Sequence, residues 1–297
     1  RRSGGAEYFY HRDSEDLVIP TERVQLTLKY DESIVSDAWR YLTVYHYDVY
    51  EDSQGNSTNG WRNIGGIVDP KKNTITVNVE RFGYFQVMYM TRSFRDVVSH
   101  DWAKNDIETL YSKGIMGPRT GSNLFRPSEA ISRGEFVTML VKLYDIPLNY
   151  AGKLTFVDAM NNSRANGLWD YRYIETAARA GIVRGVGNLG SFGTTQPLTR
   201  EQAAVMIARA GNFKLESRED KLLQSLQKSF TDANAINIYA RGAVEAVVDR
   251  GIITGKQHST IGDEKPTYYF DPHANFTRAE AAAVAMRIMG MLKQIPR

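Results

Sequence analysis

The chain has 297 residues, 42% of them hydrophobic and 24% charged, with a formal net charge of +3. That length is enough for two or three compact units, and a mild charge without a dense Lys/Arg run does not point to a nucleic-acid surface. The absence of cysteine excludes disulfides, thiol catalysis and cysteine-held metals, and no stretch approaches the ~18 apolar residues of a membrane span.

The chain opens Arg1-Arg2-Ser3-Gly4-Gly5 with no apolar run behind it. It reads as a fragment or processed product, so a missing signal peptide says nothing about export. Residues 1–92 have strand periodicity. Val24 to Tyr30 and Thr74 to Val79 alternate apolar and polar residues, Tyr84 to Tyr89 is an apolar strand, and Trp39 to Tyr50 is rich in aromatic and β-branched residues. Turn signals stand between them at Ser53-Gln54-Gly55-Asn56 and at Asp69-Pro70-Lys71-Lys72-Asn73. Short strands at this spacing predict a small β-sandwich of immunoglobulin type, a spacer domain. Trp39, Tyr41, Tyr45 and Tyr47 would share one strand face. That face is either sandwich core with a cross-strand aromatic ladder or a carbohydrate surface.

After Ser93 the pattern becomes helical, broken by Gly and Pro, and it repeats three times. Phe94-Arg95-Asp96 recurs as Phe156-Val157-Asp158 and Phe230-Thr231-Asp232. Trp102, Trp169 and Tyr239 follow, and five residues beyond each come Ile107, Ile174 and Val244. Eight further on stand the isoleucines of Gly114-Ile115, Gly181-Ile182 and Gly251-Ile252, then Gly117, Gly185 and Gly255. Pro127, Pro197 and Pro272 come next, and each copy ends in a related motif: Ser132-Arg133-Gly134-Glu135, Thr199-Arg200-Glu201-Gln202 and Thr277-Arg278-Ala279-Glu280. Each copy therefore reads as helix, Gly-terminated loop, Pro-containing turn, helix. Asp101 is a candidate N-cap, Ile107 and Leu110 lie on the buried face, and Gly114 fits a left-handed C′ position. One such hairpin cannot bury its own apolar face, so three copies should share a core. The expected boundaries are 1–92, 93–150, 151–228 with a connecting helix from Ser217 to Lys228, and 229–297, where Lys256 to Tyr269 are extra residues.

The closing motifs fit capping boxes, which explains the hydroxyl and the Glu or Gln but not the arginine. A cation at the first helical position opposes the macrodipole. Arg133, Arg200 and Arg278 either pair with an acid of a neighbouring copy, such as Asp96, Asp158 or Asp232, or join free helix N–H groups in an anion site. Trp102, Trp169 and Tyr239 are core residues or sugar-stacking platforms. Gly117, Gly185 and Gly255 either allow close approach of a ligand or take positive φ. The histidines are scattered, and no P-loop, dinucleotide fingerprint, metalloprotease helix or nucleophile elbow is present, so an enzyme is not expected and no cofactor or metal is called for.

These residues resemble the S-layer homology domains of bacterial surface proteins. The Phe-x-Asp start, the tryptophan, the Gly-Ile-x-x-Gly loop and Phe276-Thr277-Arg278-Ala279-Glu280 carry the resemblance over about Phe94 to Gly290. It implies an all-α pseudo-threefold bundle with grooves between copies, giving an α+β multidomain chain. It also implies non-covalent anchoring to the Gram-positive wall through a secondary cell wall polymer, often ending in pyruvylated N-acetylmannosamine. No nucleic acid or membrane partner is implied, and lattice self-association would come through the parent protein. By resemblance Arg133, Arg200 and Arg278 meet the pyruvate carboxylate, Trp102 and Trp169, with Tyr239 in the third copy, line the grooves, and Gly117, Gly185 and Gly255 lie close by. Gly134 for alanine, Gln202 for glutamate, Tyr239 for tryptophan and the insertion in the third copy make unequal grooves the expectation.

Overall fold

The computed structural model describes residues 22–34, 37–51, 57–119, 121–159, 171–186, 190–262 and 264–296. The chain forms two compact units. One holds residues up to Gly117 with Asn123–Phe125 and the C-terminal Met289–Arg297; the other holds Pro118–Ser122 and Arg126–Ile288.

The first unit is built on two three-stranded antiparallel sheets. One has the order β1 (Val24–Lys29), β5 (Thr74–Val79), β4 (Ile67–Asp69), and the other β3 (Ser57–Gly65), β2 (Leu42–Glu51), β6 (Tyr84–Tyr89). β1 and β5 coincide with the alternating runs, as strand periodicity requires, and β6 with the apolar run from Tyr84 to Tyr89. Leu42 and Val44 of one sheet and Val68, Ile75, Val77 and Val79 of the other close a shared core. The Asp69 turn forms as expected, with Lys72 N donating to Asp69 O (3.2 Å), whereas the turn at Ser53 to Asn56 lies outside the described residues. β3 was not legible: Asn59, Gly60 and Gly65 are poor strand formers, and pairing with β2 overrides that preference. The aromatic face is redistributed. Trp39 and Tyr41 stand in a short helix, α1 (Ala38–Tyr41), not on the strand. Tyr47 meets Trp61 and Tyr84 edge-on instead, and the core face carries Val44.

The first repeat's opening helix, α2 (Asp101–Ser112), is built into this unit. A 3₁₀ turn, Arg95–His100, runs directly into it, so Asp101 is the first helical residue and His100 the N-cap. Ser112 Oγ donates toward the carbonyls of Tyr41 (2.9 Å) and Met90 (2.8 Å), and Asn63 Nδ2 donates to Ser112 O (2.8 Å). Lys113 is 3% exposed, and its ammonium donates to Leu42 O (3.2 Å). Burial pushes that lysine down to about 8 from its ordinary 10.5.

The second unit contains α3 (Arg133–Leu143), α4 (Tyr171–Arg179), α5 (Arg200–Ala210), α6 (Glu219–Ser229), α7 (Ile238–Asp249) and most of α8 (Arg278–Met291). α6 is the expected connecting helix. The extra residues of the third copy make a short hairpin, β7 (Lys256–Gln257) with β8 (Tyr268–Tyr269). The glycine stops form as read: Gly114, Gly181 and Gly251 have φ of 70°, 76° and 66°. Behind them Ile115, Ile182 and Ile252 donate to the carbonyls of Leu110, Ala177 and Val247, all at 2.9 Å, which is the six-to-one bond of a Schellman motif.

The three motifs are tied to one another by a closed ring of backbone bonds. Ile131 N donates to Phe276 O (2.8 Å), Phe276 N to Leu198 O (2.7 Å) and Leu198 N to Ile131 O (3.2 Å). Ile131, Leu198 and Phe276 are at most 1% exposed, so the ring sits in the core.

Candidate functional site

The repeated acid of Phe-x-Asp holds the loop ahead of the proline. Asp158 Oδ1 accepts Phe192 N (2.7 Å) and its Oδ2 accepts Gly193 N (2.8 Å). Asp232 does the same for Phe270 N (2.7 Å) and Asp271 N (2.8 Å), and Asp96 accepts Phe125 N (3.1 Å). A carboxylate receiving backbone amides orders a loop with charge-assisted bonds. The phenylalanine of each motif then packs on the phenylalanine of its loop: Phe94 on Phe125, Phe156 on Phe192, Phe230 on Phe270, with centroids 5.3–5.6 Å apart. Phe125, Phe192 and Phe270 went unnoticed in the sequence. The signal was there, since each stands two to five residues before the landmark proline.

The loop glycines answer to the same rings. None of Gly117, Gly185 and Gly255 has positive φ, which removes that explanation. A Cβ on Gly185 would come within 2.9 Å of Ser191 O and 3.2 Å of the Phe156 ring; one on Gly255 would lie 2.5 Å from the Phe230 ring. At Gly117 the nearest atom is a Tyr111 ring carbon at 3.4 Å, an ordinary contact. At two of the three positions, small size is required by the protein's own aromatic packing.

At the closing motifs the hydroxyl caps form. Ser132 Oγ, Thr199 Oγ1 and Thr277 Oγ1 accept the amides of Glu135 (3.2 Å), Gln202 (3.3 Å) and Glu280 (3.1 Å). Gln202 completes a reciprocal box, its Oε1 accepting Thr199 N (3.1 Å). The amides ahead of these are not free for an anion, contrary to the expectation. Arg133 N and Gly134 N donate to Gln196 O and Thr194 O, Arg200 N and Glu201 N to Ala274 O and Pro272 O, and Arg278 N and Ala279 N to Glu129 O and Pro127 O. At each helix start the loop that precedes another copy's motif crosses over and takes up the N–H groups.

The arginines are buried, at 6%, 3% and 2% exposure for Arg133, Arg200 and Arg278. Arg200 Nε donates to Phe270 O (2.8 Å), its Nη2 to Thr254 O (2.8 Å), its Nη1 to the Glu280 carboxylate, and its guanidinium lies over the Phe270 ring. Arg278 Nη1 donates to the Glu135 carboxylate. The acid partners of Arg200 and Arg278 are therefore the fourth-position glutamates of other motifs, while Asp96, Asp158 and Asp232 accept loop amides. Burial pushes Arg278 down and Glu135 up, each held back by the other's charge.

Arg133 repeats this placement with one difference. Its Nε donates to Phe192 O (2.9 Å), its Nη2 to Arg184 O (3.4 Å), and the guanidinium lies over Phe192. In sequence, Gln202 stands where the other two motifs have glutamate. The acid of this motif, Glu201, stands one residue earlier and accepts Asn237 N (3.0 Å), Asn237 Nδ2 (2.5 Å) and Tyr239 Oη (3.2 Å), with His273 Nε2 at 3.5 Å.

Two of the three repeat aromatics lie outside the core. Trp102 and Tyr239 are each 60% exposed at the starts of α2 and α7. The Tyr239 hydroxyl is pushed up to about 12 by partial burial and the Glu201 carboxylate, while the Arg133 charge works the other way. Trp169 lies outside the described residues.

Comparison with known proteins places these features in one family. The S-layer homology domain matches residues 93–137, 165–204 and 229–282. The amylopullulanase of Thermoanaerobacterium thermosulfurigenes is 30% identical over 86% of this chain and 12% of its own length, a match too long to be confined to the three copies. The exoglucanase XynX of Acetivibrio thermocellus is 31% identical over 70% of the chain and 17% of its own length. The S-layer protein EA1 of Bacillus anthracis is 28% identical over 64% of the chain and 19% of its own length. The chain thus spans less than a fifth of each of these three relatives.

Proposed function

This chain carries three S-layer homology domains and so belongs at the cell surface or cell wall, and from that premise we propose that it is a non-catalytic anchor holding an exported protein to the wall. One observation carries this. The amylopullulanase, the exoglucanase and the S-layer protein differ in their named activities, yet each matches this chain over a minor part of its length. A segment common to such different proteins supplies attachment, not a shared reaction.

The bound partner is a negatively charged secondary cell wall polymer, its end a pyruvylated N-acetylmannosamine, taken up in grooves between copies. The closed backbone ring through Ile131, Leu198 and Phe276 supports a pseudo-threefold bundle, and the two sheets with one core support an immunoglobulin-like spacer. The exposed rings of Trp102 and Tyr239, with Trp169 at the equivalent position of the second copy, serve as stacking surfaces for sugar faces. Arg200 and Arg278 already hold carboxylates and act in stability; the loop glycines act in packing. Lattice contact between copies is the competing reading, and these two internal ion pairs are the observation in its favour.

The test is sedimentation with purified walls. The chain is expected to pellet with walls that keep their covalently linked polymer and to stay in solution with peptidoglycan stripped of it. Equal pelleting with both would refute a polymer anchor.

A further inference from the structure

The third residue of the closing motif is Gly134 in the first copy, Glu201 in the second and Ala279 in the third. The three backbones are placed alike, each amide donating to a carbonyl of the loop that crosses it: Gly134 N to Thr194 O, Glu201 N to Pro272 O, Ala279 N to Pro127 O. Of the three, the glutamate has a side chain long enough to leave its own copy, and it does. Its carboxylate accepts Asn237 N (3.0 Å), Asn237 Nδ2 (2.5 Å) and the Tyr239 hydroxyl (3.2 Å) at the start of α7, in the third copy, with His273 Nε2 at 3.5 Å. Glu201 is 2% exposed. Its oxygens are engaged by the protein, so it acts on a ligand through what it holds.

What it holds is the aromatic of the third copy, the one that departs from tryptophan. A phenol donates from the tip of its ring, and an ionised carboxylate is a strong acceptor for that donor. Asn237 is drawn to the same acid: it stands at the N-cap of α7 without capping it, because its amide goes to Glu201. The carboxylate also lies at the positive end of the α7 dipole. Ring and helix start are therefore tied to one group. Among the described residues no carboxylate bonds Trp102, which is as exposed as Tyr239; its ring neighbour is His100, centroids 6.4 Å apart. In sequence the two departures go together. Gly134 precedes Trp169 and Glu201 precedes Tyr239, a small residue with tryptophan and an acid with tyrosine.

We propose that Glu201 is the positioning residue of the third copy's sugar platform, and that the tyrosine–glutamate pair stands in for the tryptophan of the other two copies. The hydroxyl tie fixes the ring on which a sugar face stacks, so less side-chain freedom is lost on binding. This rests on the polymer-anchor reading and adds to it the acid that sets one groove. The third groove then differs from the others in composition and stays competent to bind.

The experiment cuts the tie and then replaces it. Tyr239→Phe keeps the ring and the Asn237 bonds and removes the hydroxyl. Titrated calorimetrically with purified secondary cell wall polymer, it is expected to bind about fivefold more weakly than wild type, the size of one hydrogen bond. Glu201→Ala should lose a similar factor, and the two changes together no more than either alone, since both cut the same bond. Glu201→Ala combined with Tyr239→Trp recreates the pairing of small residue and tryptophan, and should return to within about twofold of wild type. A second readout needs no ligand. Partial burial and the Glu201 charge push the Tyr239 hydroxyl up to about 12, so its ring Cζ NMR signal should begin to shift at lower pH in Glu201→Ala than in wild type. Wild-type affinity in Tyr239→Phe would overturn the assignment while leaving the anchor standing, as would an unmoved Tyr239 titration in Glu201→Ala. Failure of the tryptophan combination to regain affinity would overturn the exchange of residues. A wild-type chain that binds no polymer would remove the anchor reading and the proposal with it, whatever the tyrosine signal does.

Discussion

Arg278→Ala is expected to destabilise the helical unit by about 3–5 kcal/mol, the cost of leaving one member of a buried ion pair alone. The Glu135 carboxylate, 7% exposed in the intact chain, would keep Arg119 Nη2, 3.9 Å away, as its cation among the described residues. The pair also joins motifs 143 residues apart in sequence, so its loss loosens the arrangement of the copies. Replacing both partners by methionine should cost less than the single change, because no unpaired charge is then buried. Urea unfolding of the intact chain, followed by far-ultraviolet circular dichroism, measures both. A single variant within about 0.5 kcal/mol of wild type would show that the pair contributes nothing beyond surface electrostatics.

The second large effect is a pH dependence centred on Lys113. Its folded value of about 8 lies below the 10.5 of an ordinary lysine, so between those values the unfolded chain binds the extra proton. Stability therefore rises with pH across that window, and below pH 8 the buried ammonium costs about 3 kcal/mol. Lys113→Met removes the titration. The stability difference, wild type minus variant, should move by about 3 kcal/mol in favour of wild type between pH 7 and pH 10.5. Tyrosine ionisation is common to both chains and cancels. Tryptophan fluorescence follows this unit, which holds Trp39, Trp61 and Trp102 of the four tryptophans. Parallel curves would show that Lys113 stays solvated in the folded chain.

What could be read in the sequence was what local backbone chemistry writes there. Gly114, Gly181 and Gly251 had to be glycine because a helix ends there in a left-handed turn. Ser132, Thr199 and Thr277 had to carry hydroxyls because a helix begins there. β1 and β5 showed because one face of each is turned to the core and alternation follows. The partners of the arginines could not be read, because they are set by how the copies close on one another. Glu135 sits beside Ser132 in the motif and reads as a cap residue, yet its carboxylate serves Arg278 in another copy. The helix starts looked like open anion sites for a similar reason: only the fold shows a loop of another copy arriving to take the amides. The same limit hid β3, which exists because β2 needs a neighbour. Gln202 looked like a departure from glutamate that the cap survives, and it does complete the box with Thr199.

The most direct measurement is calorimetric titration of the chain with pyruvylated secondary cell wall polymer and with the same polymer after removal of the pyruvate. Saturable heat with the first, and affinity at least about a hundredfold weaker with the second, is the predicted result, since the pyruvate carboxylate is the charged group by which the anchor reading has the polymer recognised. Equal affinity for the two polymers would contradict it and leave the pyruvate without a part in anchoring.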